Sequence, residues 1–229
     1  PNAFIMINWT WFMPLMFAIA GISARLSFGK RDTAHFLKER EKRLLIPLIS
    51  GILLVMPAQT FFAEKFHNGY TGGYFAQYAL FFGKMDRGIT GYNGGFTPAQ
   101  LWFILYLLII SLIALPIMIW YEKRRKLDLI RIKPPVLIAL FLIPFAMQVL
   151  LDVGGKSIGE YFSLYMLGYF VLSDDNVVEK LEKNGFWLLA AAILLSVGNY
   201  VLYGIYDVNS IACDVIQSLA SWLYILGFL

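Results

Sequence analysis

Stretches dominated by apolar side chains recur along the whole chain, at about residues 5–28, 44–63, 99–121, 135–152, 159–173, 185–204 and 214–229, each bounded by charge, glycine or proline. A hydrocarbon core of roughly 30 Å takes about 20 helical residues to cross. Backbone N–H and C=O groups in lipid must be satisfied within their own segment. The pattern therefore predicts an all-α fold, a polytopic transmembrane helical bundle with about seven crossings in a single integral-membrane domain over 1–229. The fifth and seventh stretches are short for the core, so they are expected to tilt little or to be extended by flanking residues. Pro14, Pro57, Pro116 and Pro144 interrupt four crossings and predict kinks there.

The connections carry their own patterns. Between Phe28 and Leu45, the residues Phe36, Leu37, Leu44 and Leu45 recur at helical intervals with charges between them. That predicts an amphipathic helix lying along the headgroups, acting as a hinge before the second crossing. Pro47 is expected in the first turn of that crossing, where its missing N–H costs little. The longest connection, 64–98, is rich in glycine and carries Tyr70, Tyr74, Tyr78 and Tyr92. Structureless loops of this length tend to be functional, and its apolar, aromatic middle from Tyr74 to Phe82 predicts a short interfacial or re-entrant helix.

Composition agrees with burial in lipid: 59% of the residues are hydrophobic and 15% charged, against about 45–50% and about 25% in soluble chains. The distribution of the 19 Lys and Arg residues sets the orientation. With alternating crossings, Lys65, Lys84, Arg87 and Lys156 fall on one side and all the others on the opposite side, which the positive-inside rule places in the cytoplasm. A multi-pass protein of the cell membrane is expected, with its amino end outside and its basic connections cytoplasmic. The net charge of +4 is too small and scattered to predict a nucleic-acid partner. The single cysteine, Cys213, excludes an internal disulfide and a cysteine metal cluster. The two histidines, His35 and His67, are expected on opposite sides of the bilayer, so neither a two-histidine metal site nor a triad is predicted and no metal is expected.

Several residue groups can carry chemistry. Arg40 and Arg43, three apart on a helix, point the same way, and paired guanidinium forks suit phosphate oxygens; Lys42 and Lys38 form an adjacent face. The plainer reading is that these charges orient the helices and touch anionic lipid. Asn8, Gln59, Gln100, Gln148, Asn199 and Gln217 are neutral polar groups at membrane depth, suited to interhelical hydrogen bonds. Arg25, near the inner end of the first crossing, either snorkels to headgroups or turns inward toward a cavity. Asp152 and Glu160 flank a short outer turn, either as a carboxylate pair for acid–base work or as solvated helix ends.

Four stretches in order, "WFMPLMFAIAGISARLS" (11–27), "FLKEREKRLLIPL" (36–48), "QLWFILYLLIISLIALP" (100–116) and "YFSLYMLGYFVLSDDNVVEKLEKNGFW" (161–187), resemble the integral-membrane acyltransferases of the acyltransferase-3 family. The branch they resemble includes periplasmic glucan succinyltransferases. The resemblance implies a transfer of an acyl group from cytosolic acyl-CoA, a donor substrate, to a hydroxyl of an extracytoplasmic carbohydrate acceptor, within the lipid bilayer. It implies that Arg40 and Arg43, with Lys42 beside them, engage the acyl-CoA, and that Trp102 lies near the functional core. Trp102, Gln100 and Arg25 are the candidate substrate-binding residues. In that branch a histidine often stands where this chain has Gln100. The family's essential histidine is expected on a helix upstream of Pro1, so the segment 1–229 is expected to be a piece truncated at both ends, inactive without that helix.

A secondary transporter also has kinked helices and midplane polar groups. Proton- or ion-coupled carriers usually need an ionisable group at membrane depth, and the lack of Asp and Glu in the middle of every predicted crossing disfavours a carrier without excluding it. A non-catalytic membrane fragment is the third reading.

Overall fold

The apolar stretches become helices in the computed structural model, which describes residues 3–28, 33–84, 95–96, 98–124, 129–130, 132–152, 155–206 and 210–229. In chain order they are α1 (Ala3–Phe28), α2 (Thr33–His67), α3 (Tyr74–Gly83), α4 (Ala99–Glu122), α5 (Pro134–Ala139), α6 (Leu142–Met147), α7 (Ile158–Leu172), α8 (Asp175–Glu182), α9 (Gly185–Ile205) and α10 (Ile211–Phe228). Among the described residues there is no strand. Among the described residues five helices, α1, α2, α4, α9 and α10, are long and apolar enough to cross a membrane. The fourth and fifth predicted stretches form shorter apolar helical segments, Pro134–Met147 and Ile158–Leu172. Lys30, Arg31, Arg87, Arg125, Lys126 and Arg131 lie outside the described residues, as does 85–94 of the long connection.

The basic stretch is not a separate helix. It runs without interruption into the second crossing as one helix of 35 residues, about 52 Å long at 1.5 Å per residue. Pro47 is consequently in a helix interior. A proline ring pushes against the carbonyl four residues back and removes one N–H, and the chain absorbs this by widening the preceding turn. Glu41–Leu45 is π-helical and the Ile46 N–H reaches the Glu41 carbonyl. Pro57 repeats the device: Gly51–Val55 is π-helical and the Met56 N–H reaches Gly51.

Pro144 acts differently. The helix breaks one turn upstream of it, at Leu140 and Phe141, separating α5 from α6. There the Phe141 N–H bonds to Ile138 and the Ile143 N–H to Leu140, both three residues back. The Leu137 carbonyl accepts instead from the buried Trp222 indole N–H of α10, at 2.8 Å. Pro14 and Pro116 are carried inside α1 and α4.

The chain forms two compact units, Arg31–Ile113 and Pro1–Lys30 with Ala114–Leu229. In the first, Met56 of α2, Phe81 of α3 and Ala99 form a core with Phe96 and Leu101 packed against it. The helix α3 occupies the aromatic middle of the long connection, and its Tyr74 meets Phe61 edge to face at 5.5 Å.

In the second unit α1 packs closely on α7. A Cβ at Gly21 would collide with the Tyr165 carbonyl, and one at Gly168 with the backbone of Ala18. Small residues let helices approach in lipid, where dispersion contacts replace the hydrophobic drive. Phe17 stacks on Tyr161 at 4.4 Å beside this contact. On its other side α1 meets α10, with Trp11 against Phe228 at 4.9 Å. α9 packs on α10 through Ala192, Leu223 and Tyr224, and large apolar side chains such as Phe186, Trp187 and Leu194 face outward.

Candidate functional site

The start of α2 collects cationic side chains around one cavity. Thr33–Arg40 is α-helical and Glu41–Leu45 π-helical, so residues on either side of Arg40 do not keep the 3.6-residue register of a plain helix. His35, Lys38, Glu39, Lys42 and Arg43 line a cavity of about 390 Å³. Arg43 donates to the Glu39 carboxylate at 3.3 Å and is itself 78% exposed. Arg40 lies over the ring of buried Phe36, its guanidinium carbon 4.8 Å from the centroid. The structure thus brings Lys42 and Arg43 together with Lys38 and His35 but not Arg40, which lies over the Phe36 ring instead of sharing the cavity wall with Arg43 as their three-residue spacing predicted. Such a cluster can hold phosphate oxygens, with Glu39 as the internal anion a ligand would displace.

Further along the same unit, Trp102 is buried and meets Tyr106 edge to face at 5.3 Å. Gln100 is exposed, on the short turn Ala99–Leu101 that opens α4. Leu101 fills the space beside Gly51, where a Cβ would collide with its side chain.

In the other unit Arg25 turns inward. Its guanidinium pairs with the Glu122 carboxylate, the two side chains 16% and 23% exposed. It donates to the Tyr169 hydroxyl at 3.4 Å, and that hydroxyl donates to Glu122 at 3.1 Å. The guanidinium carbon also sits 5.2 Å from the Tyr121 ring and 5.3 Å from that of Tyr169. The closed triangle neutralises Arg25 internally and joins α1, α4 and α7. Sequence reading missed Glu122; the signal was that the first crossing ends, and the third ends, on the same predicted side.

The turn between α6 and α7 assigns its carboxylates separate jobs. Asp152 accepts from the Gly155 N–H at 2.8 Å, where Gly155 has φ +76, a conformation that suits glycine. Ser157 caps α7, accepting from the Glu160 N–H and donating to the Leu150 carbonyl at 2.8 Å. Glu160 lines a small cavity beyond the turn. Of the predicted interhelical amides, Asn199 donates to Gln217 at 3.4 Å, linking α9 to α10.

A family model described as an acyltransferase domain matches residues 2–229, nearly the entire chain. The chain belongs to the acyltransferase-3 family. No curated protein and no solved structure matches it. Membership makes this a membrane acyltransferase, in keeping with the five helices among the described residues that are long and apolar enough to cross a membrane.

Proposed function

We propose that this acyltransferase moves an acetyl- or succinyl-type group from cytosolic acyl-CoA to a hydroxyl of an extracytoplasmic carbohydrate, as in the branch that acylates periplasmic glucans. The observation that carries the donor half is the cationic cavity at the start of α2, where Lys38, Lys42, Arg43 and His35 converge. Coenzyme A presents phosphate groups, and guanidinium and ammonium donors bind such oxygens more strongly than neutral groups do. Arg40 does not line the cavity and is proposed to add its charge from its position over the Phe36 ring. The uneven distribution of Lys and Arg supports a cytosolic location for this cavity.

In the transfer the acceptor hydroxyl oxygen attacks the thioester carbonyl. A C–O bond forms, the C–S bond breaks, and the coenzyme leaves as a thiolate. The hydroxyl proton passes to a base and from there to the thiolate, so the products are an ester and a thiol. The resemblance assigns that base to a histidine upstream of Pro1. Trp102, Gln100 and Arg25 are proposed as positioning and substrate-binding groups.

The test is acyl-CoA binding by the protein in lipid nanodiscs. Wild type is expected to bind, and a variant carrying Arg40→Ala, Lys42→Ala and Arg43→Ala to lose at least about a hundredfold in affinity, the loss of two to three charge-assisted contacts at roughly 1.4 kcal/mol per tenfold. Unchanged affinity removes the donor site.

A further inference from the structure

Among the described residues, one buried serine hydroxyl, that of Ser196, has no hydrogen-bond partner. Ser111, Ser163 and Ser173 each turn their hydroxyl back to a carbonyl about one turn earlier, Leu108 at 2.9 Å, Glu160 at 2.7 Å and Tyr169 at 2.7 Å. This is the usual resort of a serine in an apolar helix. Ser196 of α9 is 5% exposed and its Oγ has no hydrogen-bond partner. One turn on, Asn199 spends its amide N–H on Gln217, while its Oδ1 is buried without a partner. Buried polar atoms are nearly always satisfied, so two adjacent orphans call for a missing partner.

Both residues line one cavity of about 330 Å³ between α1, α9 and α10, with Trp9, Tyr203 and Asp214 among its other walls. A second cavity of about 110 Å³ shares Thr10, Asp214 and Gln217 with the first and extends to Glu160. The larger is at the lower end of the about 300–1,000 Å³ typical of small-molecule sites. Neither cavity is lined by a lysine or arginine, and Asp214 and Glu160 supply carboxylates. Phosphate or carboxylate ligands are therefore repelled. Arg25 lies fifteen residues from Thr10 on α1, about 22 Å along its axis, so this acidic end is well separated from the basic end of the same helix.

We infer that this cleft binds a neutral sugar ring. Ser196 and Asn199 take hydrogen bonds with ring hydroxyls, Asp214 accepts from others, and the Trp9 and Tyr203 faces lie available for the apolar C–H face of the ring. Calling the sugar the acyl acceptor rests on the acyltransferase reading above; the binding itself does not.

The experiment uses the protein in lipid nanodiscs prepared without glycoside detergents, titrated with a β-linked glucose disaccharide and followed by saturation-transfer NMR. Wild type is expected to bind, with Ser196→Ala and Asn199→Ala each weakening binding about tenfold and acyl-CoA affinity unchanged in both. Because the Ser196 hydroxyl holds no protein group, Ser196→Ala is expected to melt no lower than wild type, which separates lost binding from lost folding. No saccharide signal in wild type, or equal binding in both variants, overturns the site. Saccharide binding that fails in the variants, in a protein with no affinity for acyl-CoA, sinks the proposed acyl-CoA donor and leaves the cleft standing.

Discussion

Arg25 and Glu122 pair at the shared end of α1 and α4, with the Tyr169 hydroxyl bonded to both partners. The pair is partly shielded, and its worth falls between the about 1 kcal/mol of an exposed ion pair and the roughly 3–5 kcal/mol lost when a buried one is broken. Glu122→Ala strands a guanidinium between two tyrosine rings and is expected to cost about 2 kcal/mol, lowering the Tm by about 4–8 °C. Arg25→Met combined with Glu122→Leu removes both charges together and is expected to recover most of that loss. Differential scanning fluorimetry on the two variants decides it; equal melting of Glu122→Ala and wild type contradicts the structural role of the pair.

The α1–α7 contact is set by Gly21 and Gly168, each facing a backbone that a Cβ would strike. Overpacking a tight contact costs about 1–3 kcal/mol where the backbone can shift, and here the obstacle is main chain on both sides. Gly21→Leu and Gly168→Leu are expected to abolish recovery of folded protein from membranes. Gly198→Leu, at a position open to space, is expected to leave yield near wild type. Gel-filtration profiles of the three variants check the contrast.

The crossings were legible because length and apolarity alone fix a helix in lipid: α1, α4, α9 and α10 lie where the apolar stretches are. The two departures trace to prolines. Pro47 does not start a helix because the wide turn Glu41–Leu45 takes up its missing bond, and nothing in the residue order distinguishes a helix that widens from one that stops. Pro144 breaks its helix at Leu140 because the ring clashes one turn earlier than its own position. The partner of Arg25 was readable from shared sidedness. The orphaned Ser196 hydroxyl was not, since it is a bond that fails to form, and only coordinates expose that.

Glu39 holds Arg43 at 3.3 Å beside Lys42, and any phosphate entering the cavity competes with that carboxylate. Glu39→Gln removes the internal rival and one repelling charge, so acyl-CoA affinity is expected to rise severalfold, while Arg43→Ala lowers it by about tenfold. Both differences are expected to shrink as salt is raised from 0.05 to about 0.5 M, because the Debye length contracts from about 14 Å to about 4 Å. Isothermal titration at the two salt concentrations reads this; an affinity independent of salt contradicts phosphate capture by these side chains.

The orientation of α2 can be tested directly because its 35 residues extend about 52 Å, well beyond a hydrocarbon core of roughly 30 Å. One end must emerge into water, and the Lys38–Arg43 turns carry the charge that lipid excludes most strongly. In a background with buried Cys213 replaced by alanine, Lys38→Cys and Thr71→Cys place single thiols near the two ends of α2. In intact cells an impermeant maleimide is expected to label Thr71→Cys and to label Lys38→Cys only after permeabilisation. The reverse pattern puts the cationic cavity outside, away from the compartment where acyl-CoA is made, and the donor assignment then fails whatever the cavity binds in detergent.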